Sequence, residues 1–293
     1  MLSSKREFAI VLIAASLVFV SGCIDFDEEE ETEGHGLVVE EFEGVPSEVF
    51  SEDEFELFLD VRNMGDVDAE EVTPELYSTG GATEVDDAWD PESVPSLSAP
   101  TQEFEGEQAS FTRTLGAPDI EISDETLNIQ TNIYYKYGTE ARIRIPVISS
   151  EERRSREEAG EALPNIETPR VTDGPFTVRI TGPDPAIIEE DDTGIMFTIH
   201  GNNVGGGRAY LSDEHPDPGR DELDSVDVTI DTDGQITGVE CDGETTVRHG
   251  DYFELHCSGD VDDFQEFQEI PIDVTVDYGY RIRERTSVYV RRD

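Results

Sequence analysis

The residues able to do chemistry here are few. Cys241 and Cys257 lie sixteen positions apart and are the only cysteines beyond Cys23. In an oxidising compartment such an even pair reads as a disulfide, and closing a loop of that size contributes about 3 kcal/mol through the unfolded state. His256 adjoins Cys257, but neighbours along a strand face opposite sides, so the two cannot act as a catalytic couple. His200, His215, His249 and His256 show no metal-ligand spacing and read as surface or turn positions. The carboxylate runs at 189–194 and 213–224 depart from the spacing of a calcium loop and read as solvated surface. No G-x-S-x-G elbow or CxxC pair occurs, and the glycine-rich NNVGGGR (202–208) joins two strands without the helix start that makes phosphate binding strong. The expectation is a protein with no catalytic residues, no metal and no cofactor, which is therefore not an enzyme.

The remaining cysteine points to attachment. A polar start, MLSSKRE, leads into FAIVLIAASLVFV, which is too short to span a bilayer comfortably and right for a signal h-region. Val20-Ser21-Gly22-Cys23 resembles a lipobox, which implies a signal peptide over 1–22 and a lipid on the thiol of Cys23. Residues 23–35 then form an acidic tether with a reach of at most about 3.5 Å per residue. SKREF resembles a twin-arginine signal with Lys5 in place of the first arginine, which leaves the export route open between Tat and Sec. An uncleaved N-terminal anchor is the alternative, and both readings put the protein on the outer face of the membrane.

Charge narrows the setting. Seventy Asp+Glu against twenty Lys+Arg give a formal net charge of −50, and of the basic residues only Lys5 and Lys136 are lysine. Such a chain repels itself in dilute buffer and repels nucleic acid, but at molar salt the Debye length falls to about 3 Å and the repulsion largely disappears. The acid surface and scarce lysine resemble those of haloarchaeal proteins. Hydrophobic residues still make up 35% of the chain, enough for a core.

The body repeats itself. EFELFLDVRNMGDVDA (54–69) matches GIMFTIHGNNVGGGRA (194–209) at an offset of 140, and NIQTNIYYKYGTEARIRIPV (128–147) matches PIDVTVDYGYRIRERTSVYV (271–290) at an offset of 143. Alternating apolar residues at short intervals, separated by Gly, Pro and Asp, predict an all-β protein of two tandem antiparallel β-sandwiches, at 36–148 and 171–293. The first is predicted to use strands at 37–43, 54–62, 69–77, 83–89, 108–115, 127–137 and 141–148. The second is predicted to use 176–180, 194–201, 207–212, 224–231, 236–240, 252–258, 269–279 and 283–291. Between them, 149–170 reads as a charged linker with a turn or two of helix, which lets the sandwiches reorient unless they share an apolar interface.

The strand followed by Asn-x-Gly and alanine, together with the late Tyr-x-Tyr strand, resembles the immunoglobulin-like modules of archaeal surface and S-layer-associated proteins, and more loosely the bacterial cell-adhesion-related domain. The resemblance implies that Asn63, Gly65, Asn203 and Gly205 are structural turn residues, with the glycines at positive φ. It also implies display, adhesion or envelope assembly; an accessory or substrate-binding lipoprotein of a membrane transporter or exporter is the alternative. The last strands add Arg281, Arg283 and Arg285, which project from one face if a single strand carries them, as do Arg142 and Arg144 in the first repeat. Such a stripe is expected to pair with carboxylates on neighbouring strands, or else to dock an acidic partner, either a surface glycan or another acidic protein.

Overall fold

Strict alternation buries one face of each strand and leaves the other wet. The computed structural model describes residues 35–292 apart from 190–192, 217, 219–221, 242, 262–263 and 265, and it is all-β with sandwich architecture. Val20, Ser21, Gly22 and Cys23, with the leader and the tether through residue 34, lie outside the described residues. The first repeat contains β1 (Leu37–Val45), β2 (Glu48–Phe50), β3 (Glu54–Asn63), β4 (Ala69–Ser78), β5 (Thr83–Glu84), β6 (Val94–Leu97), β7 (Gln108–Gly116) and β8 (Glu125–Ser149). After the helix α1 (Ser150–Ala159) come β9 (Arg170–Val171), β10 (Phe176–Thr181), β11 (Ala186–Ile188), β12 (Gly194–Asn203) and β13 (Arg208–Tyr210). They are followed by β14 (Ser225–Asp231), β15 (Ile236–Thr237), β16 (Gly243–Thr246), β17 (Tyr252–Val261) and β18 (Phe267–Arg291). The helix occupies the charged stretch because Ser149 caps it, accepting the Glu152 N–H at 3.0 Å, and Gly160 ends it in the left-handed conformation.

Two four-stranded sheets, β1-β3-β7-β5 and β10-β12-β17-β15, pack on a third of ten strands whose central order is β16-β14-β18-β8-β4-β6. Its spine is the antiparallel pair β8 and β18, in register from Ile148↔Phe267 to Glu125↔Val290. The sequence predicts each of these as two strands, but both run through. Gly279, at the edge of the second suspected break, serves close packing instead of a turn: a Cβ there would lie 2.1 Å from the Tyr210 ring.

Each long strand therefore belongs to both sandwiches. The first part of β8 pairs with β4 of its own repeat, and its end pairs in parallel with β11 of the other, Ala186 opposite Val147. β18 does the reverse, pairing with β14 and then in parallel with β2, Val49 opposite Val290. Val288 packs so tightly on β1 that a Cβ on Gly44 would meet its Cγ2 at 2.3 Å, and Ile145 crowds Gly182 in the second sandwich at 2.8 Å. The described residues accordingly form one compact unit, and the shared apolar interface that would prevent reorientation is this pair of strands.

A pseudo-twofold axis runs through the middle of the pair. The offset of 143 carries Tyr135 to Tyr278 and Tyr137 to Tyr280, and the rings meet across it as Tyr135–Tyr280 at 5.7 Å and Tyr137–Tyr278 at 6.3 Å. Tyr137 and Tyr280 also hold the repeated turns. The Tyr137 hydroxyl accepts the Val67 N–H at 3.1 Å, and the Tyr280 hydroxyl accepts the Gly207 N–H at 2.8 Å. Burial pushes both phenols up to about 12.

Asn63 donates to Val67 O and Leu97 O at 2.8 and 2.9 Å and accepts from Gly65 N at 3.1 Å. Asn203 repeats this with Gly207 O, Gly250 O and Gly205 N. The expectation of positive φ at Gly65 and Gly205 does not hold. They are glycine because the tyrosines approach: a Cβ would lie 2.1 Å from the Tyr137 hydroxyl at Gly65 and 2.8 Å from that of Tyr280 at Gly205.

Candidate interaction face

Because side chains alternate, β18 sends Tyr280 and Ile282 into the core and turns Arg281, Arg283 and Arg285 to the outer face of the ten-stranded sheet. Their partners in register on β8 are Tyr134, Asn132 and Gln130. None is a carboxylate, and among the described residues no ion pair forms with any of the three arginines. The expectation of cross-strand pairing holds at the other end of the same two strands. There Arg142 forms a bidentate pair with Asp273, and Arg144 lies 3.9 Å from Glu269.

The unpaired end is nonetheless ordered. Arg283 Nε donates to Asn132 Oδ1 at 2.8 Å, Asn132 Nδ2 donates to the Tyr134 hydroxyl at 3.0 Å, and the guanidinium lies 3.7 Å from the centroid of the Tyr77 ring. Tyr77, on β4, is 57% exposed, whereas Tyr134 is buried. Burial raises the Tyr134 pKa, and the neighbouring charge of Glu75 adds to it, while Arg281 beside the hydroxyl opposes both. Arg285 stands exposed next in line.

Between the two ends sits a histidine that sequence alone places on the surface or in a turn. The His215 side chain is buried: its Nδ1 and the Tyr210 hydroxyl share a hydrogen bond of 2.7 Å, and its ring stacks on that of Tyr210 with an interplanar angle of 13°. Tyr210 remains protonated because burial pushes its pKa far up, and burial likewise lowers that of His215. Nearby, Lys136 Nζ meets Glu71 Oε1 at 2.9 Å.

No protein-family model and no curated protein matches this chain.

The opposite end of the face is acidic. One cleft of about 460 Å³ is lined by Glu140, Arg142, Arg170, Asp231 and Asp273, and another of about 560 Å³ by Asp68, Glu70, Lys136, Glu140, Asp227 and Asp277. Burial raises the pKa of Asp277, with Asp227 and Glu140 adding to the shift. Among the described residues no three His, Cys, Asp or Glu converge on a geometry that could hold a metal ion.

Cys257 on β17 and Cys241 beyond β15 form a disulfide with a Cα–Cα distance of 5.1 Å. Trp89 is buried, packing against Phe42 with ring centroids 6.4 Å apart. The carboxylate runs at 189–194 and 213–224 lie partly outside the described residues. Sequence reasoning found the arginines but missed Tyr77, Asn132 and Gln130, because only the register of β4, β8 and β18 brings those side chains beside them.

Proposed function

We propose that the protein is a non-enzymatic binding module, held on the extracellular face of a halophilic archaeon's membrane by lipid on Cys23, whose arginine face takes an anionic partner in adhesion or envelope assembly. The observation that carries this is the outer face of β18. In a chain of net charge −50, three aligned arginines have only neutral partners in register on β8, Arg281 has Arg208 and not a carboxylate opposite it on β13, and none of the three makes an ion pair among the described residues. Most other strand arginines find a carboxylate, as Arg62 does with Glu40 and Arg208 with Asp224. Arginines left unpaired beside so much acid are available to a partner, and the interlocked sandwiches present them on a rigid sheet. A tether of residues 23–35 supplies reach, and confinement near a surface raises the effective concentration of weak contacts.

Two experiments test the reading. Crosslinked pull-down from intact cells in molar salt should recover a partner with the native protein and lose it with Arg283→Glu/Arg285→Glu; undiminished recovery removes the arginine face from the account. Cys23→Ser should leave the membrane fraction, and protein still fully membrane-bound would reject the lipid anchor.

A further inference from the structure

We infer that the partner docked on this face is an extended acidic peptide whose carboxylates recur at every second residue, lying along the outer side of β18. The inference rests on the reading of the arginine face above and adds the chemistry of its ligand.

Spacing is the main argument. Arg281, Arg283 and Arg285 occupy alternate positions of one strand, so they project at intervals of about 6.6–6.8 Å, twice the strand rise. A second extended chain running alongside has that same repeat. Three of its carboxylates then meet three guanidinium groups in a single register, whereas a run of consecutive acids turns half its charge away.

Preorganisation is the second argument. Arg283 is held through Nε by Asn132 and lies against Tyr77, which fixes its guanidinium and leaves a carboxylate that binds it little side-chain freedom to remove. The same contact disfavours a sugar chain, because the guanidinium covers the face of Tyr77 on which a sugar ring would stack. Glu75, beside Asn132 on β4, bounds the strip on that side.

The inner comparison supplies a control. Adding 143 to Gln130 gives Asp273, and adding 143 to Arg142 gives Arg285, so Arg285–Gln130 is the symmetry mate of the Arg142–Asp273 pair. Gln130→Asp should let the protein satisfy Arg285 itself and close the site without opening a cavity.

The test uses the full-length protein in the lowest salt that keeps it folded, with fluorescence anisotropy of three probes. These are a peptide alternating Glu and Thr, a peptide of the same composition with its Glu residues consecutive, and a linear polyuronate. The alternating peptide should bind about tenfold more tightly than the block peptide, and Arg283→Gln, Arg285→Gln and Gln130→Asp should each weaken it by about 3–10-fold. Arg142→Gln should leave it unchanged. Equal affinity for the two peptides, preference for the polyuronate, absence of binding, or an equal loss in Arg142→Gln would each overturn the inference. Membrane attachment plays no part in this measurement. If pull-down depends on Arg283 and Arg285 but the peptides bind alike, the binding module stands and only the extended acidic ligand is rejected.

Discussion

The two ends of the central strand pair carry the same backbone with opposite chemistry. On the inner side the repeat is kept: Tyr135 and Tyr137 return as Tyr278 and Tyr280, and Ile145 and Val147 return as Val288 and Val290. Every one of these is buried, so each must fill the same space on either side of the axis. On the outer side the correspondence lapses. Gln130 stands where Asp273 does, Tyr134 where Asp277 does, and Gly138 where Arg281 does. Packing holds one face of a duplicated sheet to its pattern, and the face that packing leaves free has separated into an arginine–tyrosine end and a carboxylate end. Outer-face differences between such repeats are therefore where a role for each half is to be sought.

The inner symmetry can be broken most severely at Ile145 and Val288, which occupy equivalent positions and each support the other repeat's sandwich. Ile145→Ala should cost about 2–5 kcal/mol, and Val288→Ala somewhat less. The location of the damage is the sharper readout. Amide exchange should accelerate first in β10 and β12 for Ile145→Ala, and in β1 and β3 for Val288→Ala. If each variant instead loosened only the repeat that encodes it, the long strands would not be shared in the way described.

The disulfide separates the sandwiches in another way, since only the second has one. Replacing Cys241 and Cys257 together by Ser should lower stability by about 3 kcal/mol, measured by denaturant unfolding. Exchange protection should fall around β15 and β17 and hold at β3 and β7. A loss spread equally over both repeats would mean that the interlock transmits destabilisation so well that the unit unfolds as one.

Much of this was legible in the sequence. Alternation identified the strands that became β1, β3, β4, β7, β10, β12, β14 and β17 to within a few residues, because each buries a regular side of a sheet. The strands it missed, β2, β6, β9, β11 and β16, are two to four residues long, too short to establish a period. Gly138 and Gly279 misled because glycine reads as a turn, whereas both lie on continuous strands and Gly279 makes room for the Tyr210 ring. Nothing local signals that β8 and β18 pair with each other; that contact spans more than a hundred residues of chain. The stripe of arginines was readable from its spacing. Its lack of carboxylates was not, because the opposite residues are set by the register of that long-range pair.

The smallest expected effect lies at Asp277, the acidic counterpart of Tyr134. Burial, reinforced by Asp227 and Glu140, raises its folded pKa above the ordinary value of 3.8. The folded state therefore holds this proton more tightly than the unfolded state does, and stability falls as pH rises from about 3.8 through the folded value, leaving a penalty at neutral pH. Asp277→Asn should thus raise the melting temperature slightly at neutral pH, and the advantage over the native protein should vanish below that window. An advantage that grew in acid would contradict the assignment. Salt then divides the causes, since repulsion from Asp227 and Glu140 is screened while burial is not. The share of the advantage that survives in molar salt measures burial, and the share that disappears measures the crowding of carboxylates that sets this end of the sheet apart from the arginine end.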